Sequence, residues 1–231
     1  MSSMYSTDGG AALRPNTRVV LRPLGSPLPL GILALVPSSV TLSIQQLGGI
    51  PVSETASIGL LLVAFVFPLQ IVAAILAFLG RDSPVATGLG LFAGAWLATG
   101  LSLLTAAPGA RSKSLGIFLI CAGACLLAVV TGAASGKLGT AIVLVVGGGR
   151  FIVTGLYELL GGTGLEHAAA IIGLTLAGAA LYSAVVTLLE DASGETKLPL
   201  ARRNLAADAL DASFERQLDR LEHEAGVRQQ L

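Results

Sequence analysis

The stretch ASIGLLLVAFVFPLQIVAAILAFL, from Ala56 to Leu79, runs for 24 residues without a formal charge. As an α-helix it is about 36 Å long, at roughly 1.5 Å per residue. That length spans the roughly 30 Å hydrocarbon core of a bilayer. Working outward, the charged residues act as punctuation. No charge falls between Arg22 and Glu54, where an apolar core runs from Leu30 to Leu47. Four more apolar runs follow, Pro84 to Ala107, Leu115 to Ser135, Leu138 to Leu160 and His167 to Leu189, of which the third carries Arg150 and Glu158. The pattern predicts an all-α membrane protein with a bundle of six transmembrane helices.

Composition supports the same class. The chain is 53% hydrophobic and only 12% charged, with a mean hydropathy of +0.80. Globular proteins carry roughly 25% charged residues. The 29 glycines follow no three-residue period, which excludes collagen; in so apolar a chain they point to close helix packing within lipid. A net charge of zero, with no basic run interleaved with aromatics, excludes nucleic acid as a partner and leaves the lipid bilayer. The first 25 residues are polar and lack an apolar h-region, so the first membrane helix is expected to serve as the insertion signal.

Six spans place both ends on one side. That side collects Arg14, Arg18, Arg22, Arg81, Lys137, Lys197, Arg202 and Arg203, against Arg111 and Lys113 on the other. The positive-inside rule then predicts both termini in the cytoplasm of an inner-membrane protein. Three segments follow: a cytoplasmic N-terminal segment over 1–25, the transmembrane domain over 26–199, and a cytoplasmic tail over 200–231. In the tail, Leu210, Phe214, Leu218, Leu221 and Ala225 recur at helical spacing among charged residues, predicting an amphipathic helix.

Polar groups inside lipid are costly, so they usually line a pathway or bond another helix. The first span carries two polar stripes. Ser39 and Gln46 share a side with Leu35 and Leu42, and Ser38, Thr41 and Gln45 lie beside them. Pro37 and Pro68 each remove a backbone donor and predict a kink. Gln70 follows Pro68 by half a turn and is expected to face a cavity. Arg150 is the thirteenth of 23 residues in the fifth run, near the middle of the bilayer. An arginine there costs about 2.5–3.5 kcal/mol even on the insertion scale. It therefore calls for a partner or water. Thr154 and Glu158 follow it on one face, with Tyr157 beside them. Arg150 and Glu158 lie about 12 Å apart along the axis, so water, Thr154 or another helix has to mediate between them. As a fixed cation beside a pore, Arg150 would attract carboxylates. The Gly147-Gly148-Gly149 run matches no nucleotide motif and reads as close helix contact. Cys121 and Cys125 are packing residues on one helix, and His167 is an interfacial residue. With two histidines in all, no metal-ligand cluster and no nucleophile elbow, the chain reads as a conduit that needs no cofactor.

From Ser26-Pro27-Leu28-Pro29-Leu30-Gly31 onward the sequence resembles the acetate uptake transporter family, which includes bacterial acetate–succinate permeases and yeast acetate and ammonia-export proteins. The family signature is Asn-Pro-Ala-Pro-Leu-Gly, of which Pro27, Pro29, Leu30 and Gly31 match. Gln70, Trp96 and Tyr182 fall on further family positions, as do Gly194, Thr196, Leu198 and Pro199 in a closing Gly-x-Thr-x-Leu-Pro pattern. The resemblance implies a pore in each protomer, a hexamer as the homo-oligomer, and passage of acetate or succinate, often coupled to protons. It also implies a hydrophobic constriction at Leu35, Phe92 and Gly147. Several positions depart from the family. Val66 and Phe67 replace a glycine pair, Ala77 an acidic residue, Glu158 an asparagine, Arg150 an apolar residue and Gly147 a leucine. The last two imply a wider or more anion-selective passage.

Two other readings compete with a monocarboxylate transporter or channel. One is a channel for a small neutral solute such as ammonia, urea or a short amide, suited to amide side chains and hydrophobic constrictions. The other is a membrane scaffold whose C-terminal helix recruits a partner.

Overall fold

The computed structural model describes residues 25–133 and 138–193. The expected tail helix over 200–231 and nearly all of the N-terminal segment lie outside the described residues. The first span consists of α1 (Leu28–Leu33) and α2 (Leu35–Gln46). The second runs through a short 3₁₀ turn (Val52–Glu54), α3 (Thr55–Leu61), a π-helical stretch (Leu62–Val66) and α4 (Phe67–Leu79). The remaining four are α5 (Ser83–Thr105), α6 (Lys113–Ala133), α7 (Leu138–Leu160) and α8 (Thr163–Ser193). Six of these helical stretches are long and apolar enough to cross a membrane, and the chain is a multi-pass membrane protein.

Both prolines disturb the helix where their missing donors predict. Pro37 has no N–H to offer the Leu33 carbonyl, and the first span breaks between Leu33 and Leu35. Two helices stand where a single kinked one was expected. Pro68 has none for the Ala64 carbonyl, and the turn before it widens to π geometry, with the Phe67 N–H bonded to the Leu62 carbonyl. The signature prolines Pro27 and Pro29 sit at the N-cap and the second position of α1, where the backbone donors have no intrahelical acceptor. Leu30 of the same signature is part-exposed. The last span begins four residues before the expected His167, because charge marks the edge of the apolar slab and not the end of the helix. Glu166 lies in its first turn, where the helix dipole favours an acid.

The α4–α5 connection is built from local bonds. The Asp82 N–H reaches the Ala77 carbonyl at 3.0 Å and the Arg81 N–H the Phe78 carbonyl at 3.0 Å, with Arg81 at φ 61°. This is a Schellman turn carrying arginine where glycine is usual. Asp82 then caps α5, its Oδ1 accepting from the Val85 N–H at 3.4 Å. Asp82→Ala is expected to lower stability by about 1 kcal/mol, read as a fall in the thermal unfolding midpoint of the detergent-solubilised protein.

The six spans close into a ring. Each packs mainly on its neighbours in sequence, and the first span closes on the last through α1–α8 and α2–α8 contacts. Glycines set the closest approaches. Gly59 of α3 and Gly100 of α5 face each other, a Cβ on either standing 2.7–2.8 Å from the other's carbonyl oxygen. Between α6 and α7 the same reciprocal contact occurs twice, at Gly123–Gly148 and Gly116–Gly155. The seven-residue spacing on both helices keeps the two backbones together over two turns. Outside the ring, Leu60, Phe65, Val72, Ile75 and Phe78 are exposed, as lipid-facing side chains are.

Candidate functional site

Inside the ring lies a cavity of about 260 Å³. It opens at the end of the bundle that carries the 47–51, 106–112 and 161–162 connections, and it reaches inward to Trp96, Arg150 and Phe151. Its walls come from α2, α3, α5, α6 and α7, with Glu166 of α8 at the mouth.

The mouth is a network of charged and polar groups. The Glu158 carboxylate accepts from the Ser112 N–H at 2.6 Å, and Ser112 Oγ accepts from the Leu115 N–H at 3.3 Å, so both cap the start of α6. Tyr157 stands beside Glu166, with Arg111 and Glu158 close by. The Arg111 guanidinium lies against Gly161, which ends α7 at φ +74°.

At the inner end is Arg150, only 2% exposed. The Thr154 hydroxyl does not bridge it to Glu158, as the shared helix face suggested. Thr154 Oγ1 donates to the Arg150 backbone carbonyl at 2.8 Å, and Glu158 is committed to α6. The guanidinium lies over Gly173 of α8, where a Cβ would stand 3.0 Å from Cζ and 3.1 Å from Nε. Ser43 Oγ of α2 crowds the same point. Among the described residues, Arg150 Nη1 has no hydrogen-bond partner.

The two polar stripes of the first span separate by what they bond. Ser38 Oγ donates to the Leu35 carbonyl at 2.8 Å and Thr41 Oγ1 to the Pro37 carbonyl at 2.7 Å. Gln45 Nε2 donates to Thr55 Oγ1 at 3.0 Å, tying α2 to the start of α3. The second stripe is different. Ser39 Oγ, Ser43 Oγ and Gln46 Oε1 are buried without a partner among the described residues. The sequence puts Ser39 and Gln46 on one side, and Ser43, a polar residue of the same span, was assigned to neither stripe. Its spacing to both, four and three residues, was the available signal. Trp96, in the cavity wall, has an Nε1 donor that is likewise without a partner among the described residues.

Gln70 lies outside this cavity's lining, contrary to expectation. It is fully buried, and its Nε2 donates to the Gly31 carbonyl at 3.3 Å, bonding α4 to α1 beside the break in the first span. Gly31 permits that approach, since a Cβ there would stand 3.1 Å from the Ala73 Cβ of α4.

Below the cavity, side chains from α5 and α7 meet across the ring. The Phe92 ring presses on Gly147, and Leu144 stands 2.7 Å from where a Gly88 Cβ would be. Gly147 therefore leaves no added width, because Phe92 takes the space its side chain would fill. Phe92 and Trp96 both meet Phe151 edge-on, with centroids 5.6 and 5.4 Å apart. Leu35 is fully buried in the same core.

No protein-family model matches the chain, and no curated protein matches it. In architecture it is similar to a solved structure described as that of the bacterial acetate channel SatP. The TM-score is 0.67 at 23% identity, over 77% of this chain and 99% of that one. At this level of identity the likeness speaks to architecture. The chain shares the fold of that channel.

Proposed function

We propose that this protein is a conduit for small monocarboxylates such as acetate across the inner membrane, assembled as a homo-oligomer (a hexamer) with both termini in the cytoplasm. One observation carries the reading: a guanidinium near mid-membrane, without a carboxylate partner among the described residues, at the inner end of a cavity open to one side. A buried cation left unpaired is expensive, and a passing anion is the counter-charge that offsets it. The fold shared with an acetate channel agrees with this reading. Succinate as a second substrate and coupling to protons are the finer features that the family resemblance brings.

A channel for a neutral solute fits the amide and hydroxyl groups of α2 but leaves the arginine without a purpose. The scaffold reading rests on the tail, which lies outside the described residues.

Proteoliposomes containing the protein are expected to take up labelled acetate. Arg150→Ala should lower that uptake about tenfold, equivalent to roughly 1.4 kcal/mol, while its elution on size exclusion stays unchanged. Uptake no faster than in empty liposomes would sink the conduit reading. Uptake of urea faster than acetate would replace it with the neutral-solute channel.

A further inference from the structure

We propose that the 106–112 connection is a flap over the cavity mouth, held open by the ionised carboxylate of Glu158 and closing when that carboxylate takes up a proton. The inference rests on the conduit reading and concerns how its entrance is controlled.

The flap is a compact piece of chain with few attachments. The Ala110 N–H bonds the Ala107 carbonyl at 2.9 Å, with Gly109 at φ +75°. Ala107-Pro108-Gly109-Ala110 is thus a tight turn with proline and glycine where a type II turn wants them, and it moves as a unit. Residues 106–111 are all exposed, and nothing lies within 4 Å of where a Cβ on Gly109 would be. Gly109, Ala110 and Arg111 nevertheless line the mouth. Two contacts draw the flap toward α7. The Ser112 N–H donates to Glu158 at 2.6 Å, and the Arg111 guanidinium lies against Gly161. Glu158 is itself firmly seated: a Cβ on Gly116 would stand 3.0 Å from the Glu158 Cβ, beside the Gly116–Gly155 contact that locks α6 to α7.

The latch depends on charge. A carboxylate on the leading N–H of α6 is favoured by the hydrogen bond and by the helix dipole. Arg111 adds its attraction. The other groups facing Glu158 are Tyr157 of its own helix and Glu166 of α8, which Tyr157 hydrogen-bonds. α2, α3, α5 and α6 bring no titratable side chain to the cavity lining. A proton on Glu158 cancels the charge that Arg111 and the helix start attract, and leaves a neutral carboxyl as the weaker acceptor.

Composition gives the direction of the release. Ala106, Ala107, Pro108 and Ala110 are apolar and exposed. The same mouth carries Val52, 60% exposed, with Leu103 below it. Freed from α7, the tip buries apolar area by folding inward onto them. With the latch made, it stays on the α7 side and the cavity is open.

Trp96 is the chain's single tryptophan and lines the cavity, so its quenching by acrylamide, a small neutral solute, reads the mouth without requiring passage. The full-length protein in detergent is compared at about pH 7.5 and about pH 5, on either side of most carboxylate titrations in proteins. The wild-type quenching constant is expected to fall about fivefold on acidification, the equilibrium shift that loss of a typical helix cap gives. Glu158→Gln still offers the Ser112 N–H an acceptor but no charge, and should be quenched weakly at both pH values. In proteoliposomes with equal pH inside and out, its acetate uptake should be about fivefold below wild type near pH 7.5 and equal to it near pH 5. A merely structural defect gives one ratio at both. The proposal is overturned by wild-type quenching that ignores pH, by Glu158→Gln quenched like wild type near pH 7.5, or by a constant uptake ratio. Wild-type acetate uptake with pH-independent quenching discards the flap and spares the conduit. The expected quenching without uptake does the reverse.

Discussion

Replacing Gly155 with valine is expected to remove a large part of the folding stability, whatever the protein carries. A Cβ at this position would stand 2.5 Å from the Gly116 carbonyl oxygen and 3.1 Å from the Ile120 N–H nitrogen. Both are backbone atoms of a helix, so no rotamer change relieves the overlap, and α6 and α7 must move apart. Separation also opens the Gly123–Gly148 contact one heptad away, where a Cβ on Gly123 would lie 2.6 Å from the Gly148 carbonyl oxygen. Overpacking a close-packed interior costs about 1–3 kcal/mol and occasionally more; with no give in either backbone, the upper end applies. Folding reserves are only about 5–15 kcal/mol. The measurement is the thermal midpoint and the monodisperse yield in detergent. Gly149→Val is the control, because nothing lies within 4 Å of a Cβ there. Equal yields from the two variants would contradict the packing argument.

Gly173→Leu is expected to act the other way, sparing the fold and silencing the site. The atoms its Cβ would meet are Ser43 Oγ and the Cζ and Nε of Arg150, all of them side-chain and none of them backbone atoms. These can swing aside, so the helices keep their places, but the guanidinium loses its seat at the end of the cavity. Acetate uptake should fall at least as far as in Arg150→Ala, about tenfold, with the thermal midpoint held within a few degrees. Gly173→Ala is expected to fall between this variant and wild type. Wild-type uptake by the leucine variant would show that the position of Arg150 over Gly173 is irrelevant to passage.

Much of this arrangement was legible in the chain. Spans appear as apolar runs poor in charge because the cost of moving charge into hydrocarbon outweighs other local preferences, and all six are present within a few residues of their expected ends. The breaks at Pro37 and Pro68 follow from a missing donor, a local matter that sequence states directly. Helix ends were less legible at α8, since backbone hydrogen bonding continues beyond the apolar slab.

Which polar groups serve the lumen was a different kind of question. Gln70 and Gln46 are the same residue type in similarly apolar runs and each leaves its Oε1 without a partner among the described residues, yet Gln70 Nε2 bonds the Gly31 carbonyl away from the cavity while Gln46 lines it. Glu158 shares a helix face with Arg150 but caps the start of α6, 46 residues away from Ser112 in the chain. Gly147 is an absent side chain in sequence and a seat for Phe92 in space. By itself the sequence determined the number of spans, their breaks and the presence of a cation that hydrocarbon cannot tolerate alone. Tertiary structure alone decided what each buried polar atom faces, because satisfaction of a donor or acceptor depends on atoms brought from distant helices.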